Sequence, residues 1–292
     1  MTADFRPRRS VLYMPSSNER ALEKARTIPC DALILDLEDA VAPDAKPAAR
    51  DAACAAAASG AYGRREVTIR VNGADTEWHA DDLAAACAAG PDGIVVPKVS
   101  SADEVLALVD AMAAHRAPDH TSLWAMVETP RAMLHAEEIA AASERLTVLV
   151  MGTNDLAKEL YPSMHPGHVP GRAPLLTGLS LALLAARATG TAIVDGVYND
   201  VKNTDGFLAE CQQGREMGFD GKTLIHPGQV DGANEAFAPS EQAVADARGI
   251  LEAWEARASG VVTYNGRMIE NLHVESAERT LSIHEAITAL QG

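Results

Sequence analysis

Residues 123–156 read LWAMVETPRAMLHAEEIAAASERLTVLVMGTNDL, and the fold turns on them. The runs Leu123–Val127 and, apart from Thr147, Leu146–Met151 are apolar, as parallel strands covered on both faces read. Between them Thr129 is placed to cap a helix and Pro130 to occupy its first turn, which predicts a helix over Arg131–Ala142. The stretch is therefore one strand–helix–strand crossover. Working outward, the same reading gives strands at Ser10–Met14, Ala32–Leu37, Val67–Val71, Gly93–Pro97, Thr191–Val194 and Gly221–Ile225. Helical stretches separate them at Glu19–Arg26, Lys46–Ala58, Asp81–Ala89, Ala102–His115, Leu175–Thr189 and Asp205–Met217.

Eight such strands predict an α/β fold, a closed (β/α)8 TIM barrel. An open doubly wound sheet would carry a glycine-rich phosphate turn after its first strand, whereas Pro15-Ser16-Ser17-Asn18-Glu19 has no glycine. Residues 1–238 are read as the barrel and 239–292 as a C-terminal extension. The extension holds a helix over Pro239–Ala258, a hairpin in Gly260–Ile269 turning at Asn265-Gly266, and a helix over about Val274–Leu290. It packs either on its own barrel or on a neighbouring subunit.

With 25 Lys and Arg against 41 Asp and Glu, the net charge of −16 repels phosphate backbones and anionic lipid, so nucleic acid and membrane partners are excluded. Hydrophobic residues make up 47% and aromatic ones only 4%, so the core must be built from Ala, Leu, Val and Ile. The four cysteines are widely spaced, as in a reducing cytoplasmic compartment. After the basic Arg6–Arg9 the apolar run Val11–Met14 is too short for a signal sequence, and Leu175–Val194 is interrupted by Arg187 and two glycines. A soluble cytoplasmic protein is expected.

The C-terminal ends of barrel strands face the active site. Here they are acidic: Asp36, Glu38 and Asp39 after strand two, Glu128 after five, Asp155 after six and Asp195 at seven, against Arg70, Lys98 and His226. Such carboxylates repel unless a cation sits among them, and oxygen donors suit Mg2+ or equally Mn2+, not zinc, since no His pair is present. Glu128 is either a ligand or a helix-entry charge; Asp155 is either a ligand or a cap for the helix Leu156–Leu160. The turn Gly152-Thr153-Asn154 enters that helix and can present backbone N–H groups to a carboxylate. Arg70 offers a fork for a carboxylate or enolate oxygen, or a structural ion pair. His226, His273 and Tyr13 have no role from spacing, and His226 reads as a buried structural histidine.

The chain resembles the citrate lyase beta subunit-like group of the HpcH/HpaI aldolase superfamily, which includes malyl-CoA and citramalyl-CoA lyases and malyl-CoA thioesterases. The carriers are Arg9-Ser10-Val11-Leu12-Tyr13-Met14-Pro15, Leu35-Asp36-Leu37-Glu38-Asp39-Ala40-Val41, Ile69-Arg70-Val71-Asn72, Val95-Val96-Pro97-Lys98, Val127-Glu128-Thr129-Pro130, Gly152-Thr153-Asn154-Asp155-Leu156 and Ile225-His226-Pro227-Gly228-Gln229. The resemblance implies a Mg2+-dependent barrel acting on a 3-hydroxyacyl-CoA thioester, with a small acyl-CoA or oxo-acid as partner, assembled as a homo-oligomer, a trimer or hexamer. It implies Glu128 and Asp155 as metal ligands, and Asp36, Glu38 and Asp39 holding metal waters behind them. Arg70 falls on the arginine that meets the reacting carbonyl, and Gly152, Thr153 and Asn154 on the carboxylate nest. Lys46 and Arg50, with Arg20 and Lys24, are candidates for the adenosine end of CoA.

One position departs from the family. Its lyases carry a C-terminal Asp, donated by a neighbouring subunit, that exchanges a proton with the acyl-CoA methyl group; Glu270 stands there. A side chain one methylene longer can misplace that transfer or redirect it to water. Carbon–carbon cleavage of malyl-CoA or citramalyl-CoA is the first expectation, with Arg70 and Glu270 catalytic. Hydrolysis of malyl-CoA at the same metal site is the alternative. A free 2-oxo acid aldolase and a non-enzymatic subunit rank below both.

Overall fold

A computed structural model describes residues 6–160, 171–256 and 261–291. Eight strands close into a parallel barrel in chain order: β1 Ser10–Pro15, β2 Ala32–Asp36, β3 Glu66–Arg70, β4 Gly93–Val96, β5 Ser122–Val127, β6 Leu146–Met151, β7 Ala192–Asp195 and β8 Gly221–Leu224. Closure is through β1 and β8, with Ser10 opposite Lys222 and Leu12 opposite Leu224. Each strand lies within one residue at either end of its sequence reading, because runs buried on both faces are mostly apolar and stand out from the polar loops that bound them. Inside the barrel Val11, Ala32, Ile34, Val95, Trp124, Met126, Val148, Val150 and Val194 form one cluster, with Tyr13 packed against it.

The helices are α1 Glu19–Ala25, α2 Lys46–Ala58, α3 His79–Ala89, α4 Ala102–Ala114, α5 Pro130–Leu134, α6 Ala136–Ala141, α7 Thr153–Leu160, α8 Leu176–Thr189, α9 Thr204–Met217, α10 Val230–Phe237, α11 Glu241–Glu255 and α12 Asn271–Gln291. Thr129 caps as expected, its hydroxyl accepting from the Ala132 amide at 3.0 Å with Pro130 in the first turn. The single helix expected over 131–142 is instead two, broken at His135, whose backbone (φ −115°, ψ 18°) leaves the helical region. The short helix α10 was not anticipated. No helix among the described residues is long and apolar enough to cross a membrane.

The chain divides into two compact units, one of Arg8–Ala236 and one that contains Phe237–Gly292. In the second, α11 packs on α12. Strands β9 Val262–Tyr264 and β10 Arg267–Ile269 pair antiparallel. Their turn is made by Asn265 and Gly266 at φ 48° and 73°, the paired positive φ that a tight hairpin requires. The expected helix end at 257–258 and the expected hairpin start at Gly260 lie outside the described residues.

Within the barrel unit, β7 and β8 share a buried charge network. The Lys222 ammonium, fully buried, donates to Asp195 Oδ2 at 3.0 Å, Glu210 Oε1 at 2.7 Å and the Gly196 carbonyl at 2.6 Å. Arg172 pairs with the same two carboxylates at 2.8 and 3.0 Å.

Candidate active site

A cleft of about 410 Å³ opens where the strands end, and it is lined by Asp36, Asp39, Arg70, Glu128, Gly152, Thr153, Asn154 and Asp155, with Tyr13, Met126 and Asn199 among the remaining walls. Glu128 follows β5 directly and is 2% exposed. Its Oε1 accepts the Lys98 backbone N–H at 2.8 Å. A Cβ at position 152 would overlap Glu128 Oε2, so only glycine lets α7 start this close to the carboxylate. Burial, then the charge of Asp155, raises the Glu128 carboxyl to about 7, against the pull of the Lys98 N–H and the Arg70 and Lys98 charges.

A buried carboxylate with one N–H on it and a second carboxylate beside it is a donor set short of positive charge. Among the described residues no cluster of three or more His, Cys, Asp and Glu assembles around a point. Two oxygen donors in an open cleft fit a hard divalent ion that keeps waters or substrate oxygens as its other ligands, which is the habit of Mg2+ and not of an all-protein zinc cage.

Arg70 ends β3 and is 6% exposed. Its Nε and Nη2 meet both oxygens of Asp36 at 2.6 and 2.7 Å, its Nη1 reaches Glu38 at 2.8 Å and Asp39 at 3.4 Å, and its guanidinium lies 4.8 Å from the Tyr13 ring centre. Burial would lower its pKa, but Asp36 above all raises it well past the ordinary range. Asp36 also accepts the Glu38 and Ala40 amides, at 2.9 and 3.1 Å. With four donors on two oxygens, Asp36 orients Arg70 and holds its loop. Glu38 is raised to about 7 by burial, opposed by Arg70 and helped by Asp39, Glu128 and Asp36. Asp39 stays 76% exposed at the rim.

The turn after β6 differs from its sequence reading in one respect. The Gly152 amide is spent on the Val127 carbonyl at 3.2 Å, so Gly152 serves by its missing side chain. The first-turn amides of α7, at Thr153, Asn154 and Asp155, have no intrahelical acceptor and carry the positive end of the helix. Asn154 exchanges two hydrogen bonds with Asn199, at 3.2 and 2.7 Å. Asn199, in the loop after β7, carries no strand-end charge and was missed; lining the cleft is its only signal.

Other expectations change. The three protons of the Lys46 ammonium are taken by the carbonyls of Leu37 and Glu38 and by Asn72 Oδ1, at 2.9, 3.0 and 2.6 Å. Lys46 therefore braces the acidic loop and has no donor left for CoA. Arg50 is drawn to Asp82 at 2.6 Å. Asp195 belongs to the buried network and not to the cleft mouth. His226 is exposed, not buried, and its Nδ1 accepts the Gly228 amide at 3.0 Å. Glu270 lies in the second unit between β10 and α12, exposed, with its amide donating to His273 Nδ1 at 3.0 Å.

Comparison with known proteins adds three findings. The family model described as HpcH/HpaI aldolase/citrate lyase matches residues 9–227, and one described as a C–C bond lyase of the TIM-barrel fold matches residues 176–286. The chain is 52% identical over 292 residues, 99% of each chain, to a (3S)-malyl-CoA thioesterase of Cereibacter sphaeroides. It is 36% identical to an L-malyl-CoA/beta-methylmalyl-CoA lyase of the same species over 97% of this chain and 96% of that one. It also resembles, with a TM-score of 0.75 and 31% identity over 94% of this chain and 96% of the other, a structure of CitE from Mycobacterium tuberculosis in complex with magnesium, acetoacetate and coenzyme A.

Proposed function

Because the chain belongs to the HpcH/HpaI aldolase/citrate lyase family, we propose that it hydrolyses the thioester of malyl-CoA to malate and free CoA, with Mg2+ held by Glu128 and Asp155. The observation that carries this is the 52% identity to a malyl-CoA thioesterase, set against 36% to a malyl-CoA lyase. That identity supports the second of the two sequence expectations, hydrolysis, over the first, carbon–carbon cleavage. The methylene that separates Glu270 from the lyases' Asp points the same way.

When bound, Mg2+ supplies positive charge to the carboxylate and hydroxyl oxygens of the malyl group. The rest falls to the chain. The α7 first-turn amides bind the malyl carboxylate, where the helix end favours an anion. Arg70, fixed in plane by Asp36 and stacked by Tyr13, keeps one Nη2 proton beyond its bond to Asp36, and offers it to the thioester oxygen as charge builds there. The proton of the attacking water goes to a base, and the group we assign to that role is Glu270, standing where the family's lyases carry their Asp and supplied by this chain or by a neighbouring subunit. The water oxygen bonds to the thioester carbon, the C–S bond breaks, and the CoA thiolate leaves.

Incubation of the purified protein with malyl-CoA, with and without Mg2+, tests this. Metal-dependent malate with free CoA is expected. Glyoxylate with acetyl-CoA would instead establish the lyase, the reading favoured by the C–C bond lyase match at residues 176–286.

A further inference from the structure

Lys98, whose amide meets Glu128 of the acidic cleft, has an unusual backbone. Three non-glycine residues among those described have positive φ: Lys98 at 56°, Arg116 at 56° and Asn265 at 48°. Asn265 turns a hairpin and Arg116 follows the end of α4, ordinary places for the left-handed conformation. Lys98 does neither. It sits two residues past β4, at the level where β5 delivers Glu128.

The turn at Lys98 points two successive amides at β5. Lys98 N–H reaches Glu128 Oε1 at 2.8 Å and Val99 N–H reaches the Met126 carbonyl at 3.2 Å. The next residue ties the same loop down, since the Ser100 hydroxyl bonds the Lys98 carbonyl at 3.1 Å and Thr129 Oγ1 at 2.9 Å. Among the described residues, the Lys98 N–H makes the hydrogen bond that holds the Glu128 carboxylate. The other oxygen, Oε2, lies against Gly152 at the threshold of α7, the helix that carries Asp155. One oxygen is thus fixed and the other left beside the second carboxylate. A side chain in the left-handed region is disfavoured, and such conformations persist where the surroundings hold them for a purpose.

We propose that Lys98 is a positioning residue for the cation site, acting through its left-handed backbone, which aims its N–H at Glu128 Oε1 and so leaves Oε2 toward Asp155. The inference rests on Glu128 binding a divalent ion and is independent of which bond of the substrate is cleaved. The ammonium of Lys98 faces Asp155, Glu38, Glu128 and Asp75, so its loss alone would alter cation binding, and the test has to hold charge constant.

Three neutral variants of the full-length protein do this: Lys98→Gly, Lys98→Ala and Lys98→Val. Glycine enters the left-handed region freely, alanine with strain, and β-branched valine worst of all. Mn2+ affinity, read from the electron paramagnetic resonance signal of free Mn2+ without substrate, should be highest for Lys98→Gly and roughly 10–100-fold lower for Lys98→Val, the usual loss when a partner behind a metal ligand is displaced. If Lys98→Val does not fold, Lys98→Ala against Lys98→Gly gives the same comparison with a smaller gap. Equal affinities across the folded variants would overturn the proposal. So would a wild-type protein that binds no Mn2+, whereas failure of malyl-CoA hydrolysis with normal Mn2+ binding would overturn only the proposed reaction.

Discussion

Metal-free protein should lose stability between pH 5 and pH 8, and Glu128 should carry a measurable share of the loss. Burial, then the Asp155 charge, lifts its carboxyl from 4.5 to about 7. A carboxyl whose pKa is higher in the folded than in the unfolded chain holds its proton more tightly when folded. Its contribution to stability is therefore complete below pH 4.5 and is lost as the pH climbs through 7. At ~1.4 kcal/mol for each tenfold change in proton affinity, a rise from 4.5 to about 7 is worth about 3 kcal/mol. Glu38, also raised to about 7, shifts stability in the same direction. Urea unfolding of wild type and Glu128→Gln in EDTA, across pH 5 to 8, isolates one carboxyl, because glutamine keeps the shape and does not titrate. The difference between the two should move by about 3 kcal/mol in favour of the variant as the pH rises. Mg2+ should restore the wild type at pH 8, do little at pH 5, and do little for the variant, since a carboxylate must be ionised to bind it. A difference curve that stays flat with pH would refute the argument that Glu128 is buried beside a like charge.

Gly152→Ala should push the Glu128 carboxylate aside, costing about 1–3 kcal/mol of stability by overpacking and roughly 10–100-fold in Mn2+ affinity, both readable by calorimetry. Arg70→Lys keeps the charge but loses the fork on Asp36, and should lower kcat about 10²–10³-fold with little change in Mn2+ binding, by analogy with loss of an oxyanion donor. Inactive Arg70→Ala and Glu270→Ala proteins, mixed and reassociated, should recover part of the malate-forming rate if a neighbouring subunit supplies Glu270, and none if each chain uses its own.

The barrel was legible because its evidence is local. A strand such as Leu123–Val127, covered on both faces, is apolar at every position, and Thr129-Pro130 writes a helix start in two letters. That Glu128 and Asp155 line the cleft was legible for the same reason, as charges that follow those runs. Pairing was not. Asp36 and Glu38 are two residues apart and chemically alike, yet one grips Arg70 with both oxygens and accepts two amides besides, which depends on the β2–β3 register that puts Asp36 opposite Arg70. Lys46 reads as a candidate for CoA because its partners, Leu37, Glu38 and Asn72, come together only when the loops after β2 and β3 fold over it. The break at His135 escaped because Arg131–Ala142 contains neither glycine nor proline.

The quartet behind β7 and β8 has a bearing on how this sequence can change over time. Lys222 and Asp195 are both fully buried, and each touches a partner that touches the other: Glu210 meets Lys222 and Arg172, and Arg172 meets Asp195. Removing any one of the two buried members strands a charge at about 3–5 kcal/mol, a large fraction of the roughly 5–15 kcal/mol that keeps a typical protein folded. Replacing the set together by apolar residues need cost nothing. Between those two sequences each single step at a buried member strands a charge, so this corner of the barrel changes at low cost only as a set, whereas its exposed loops can change one residue at a time.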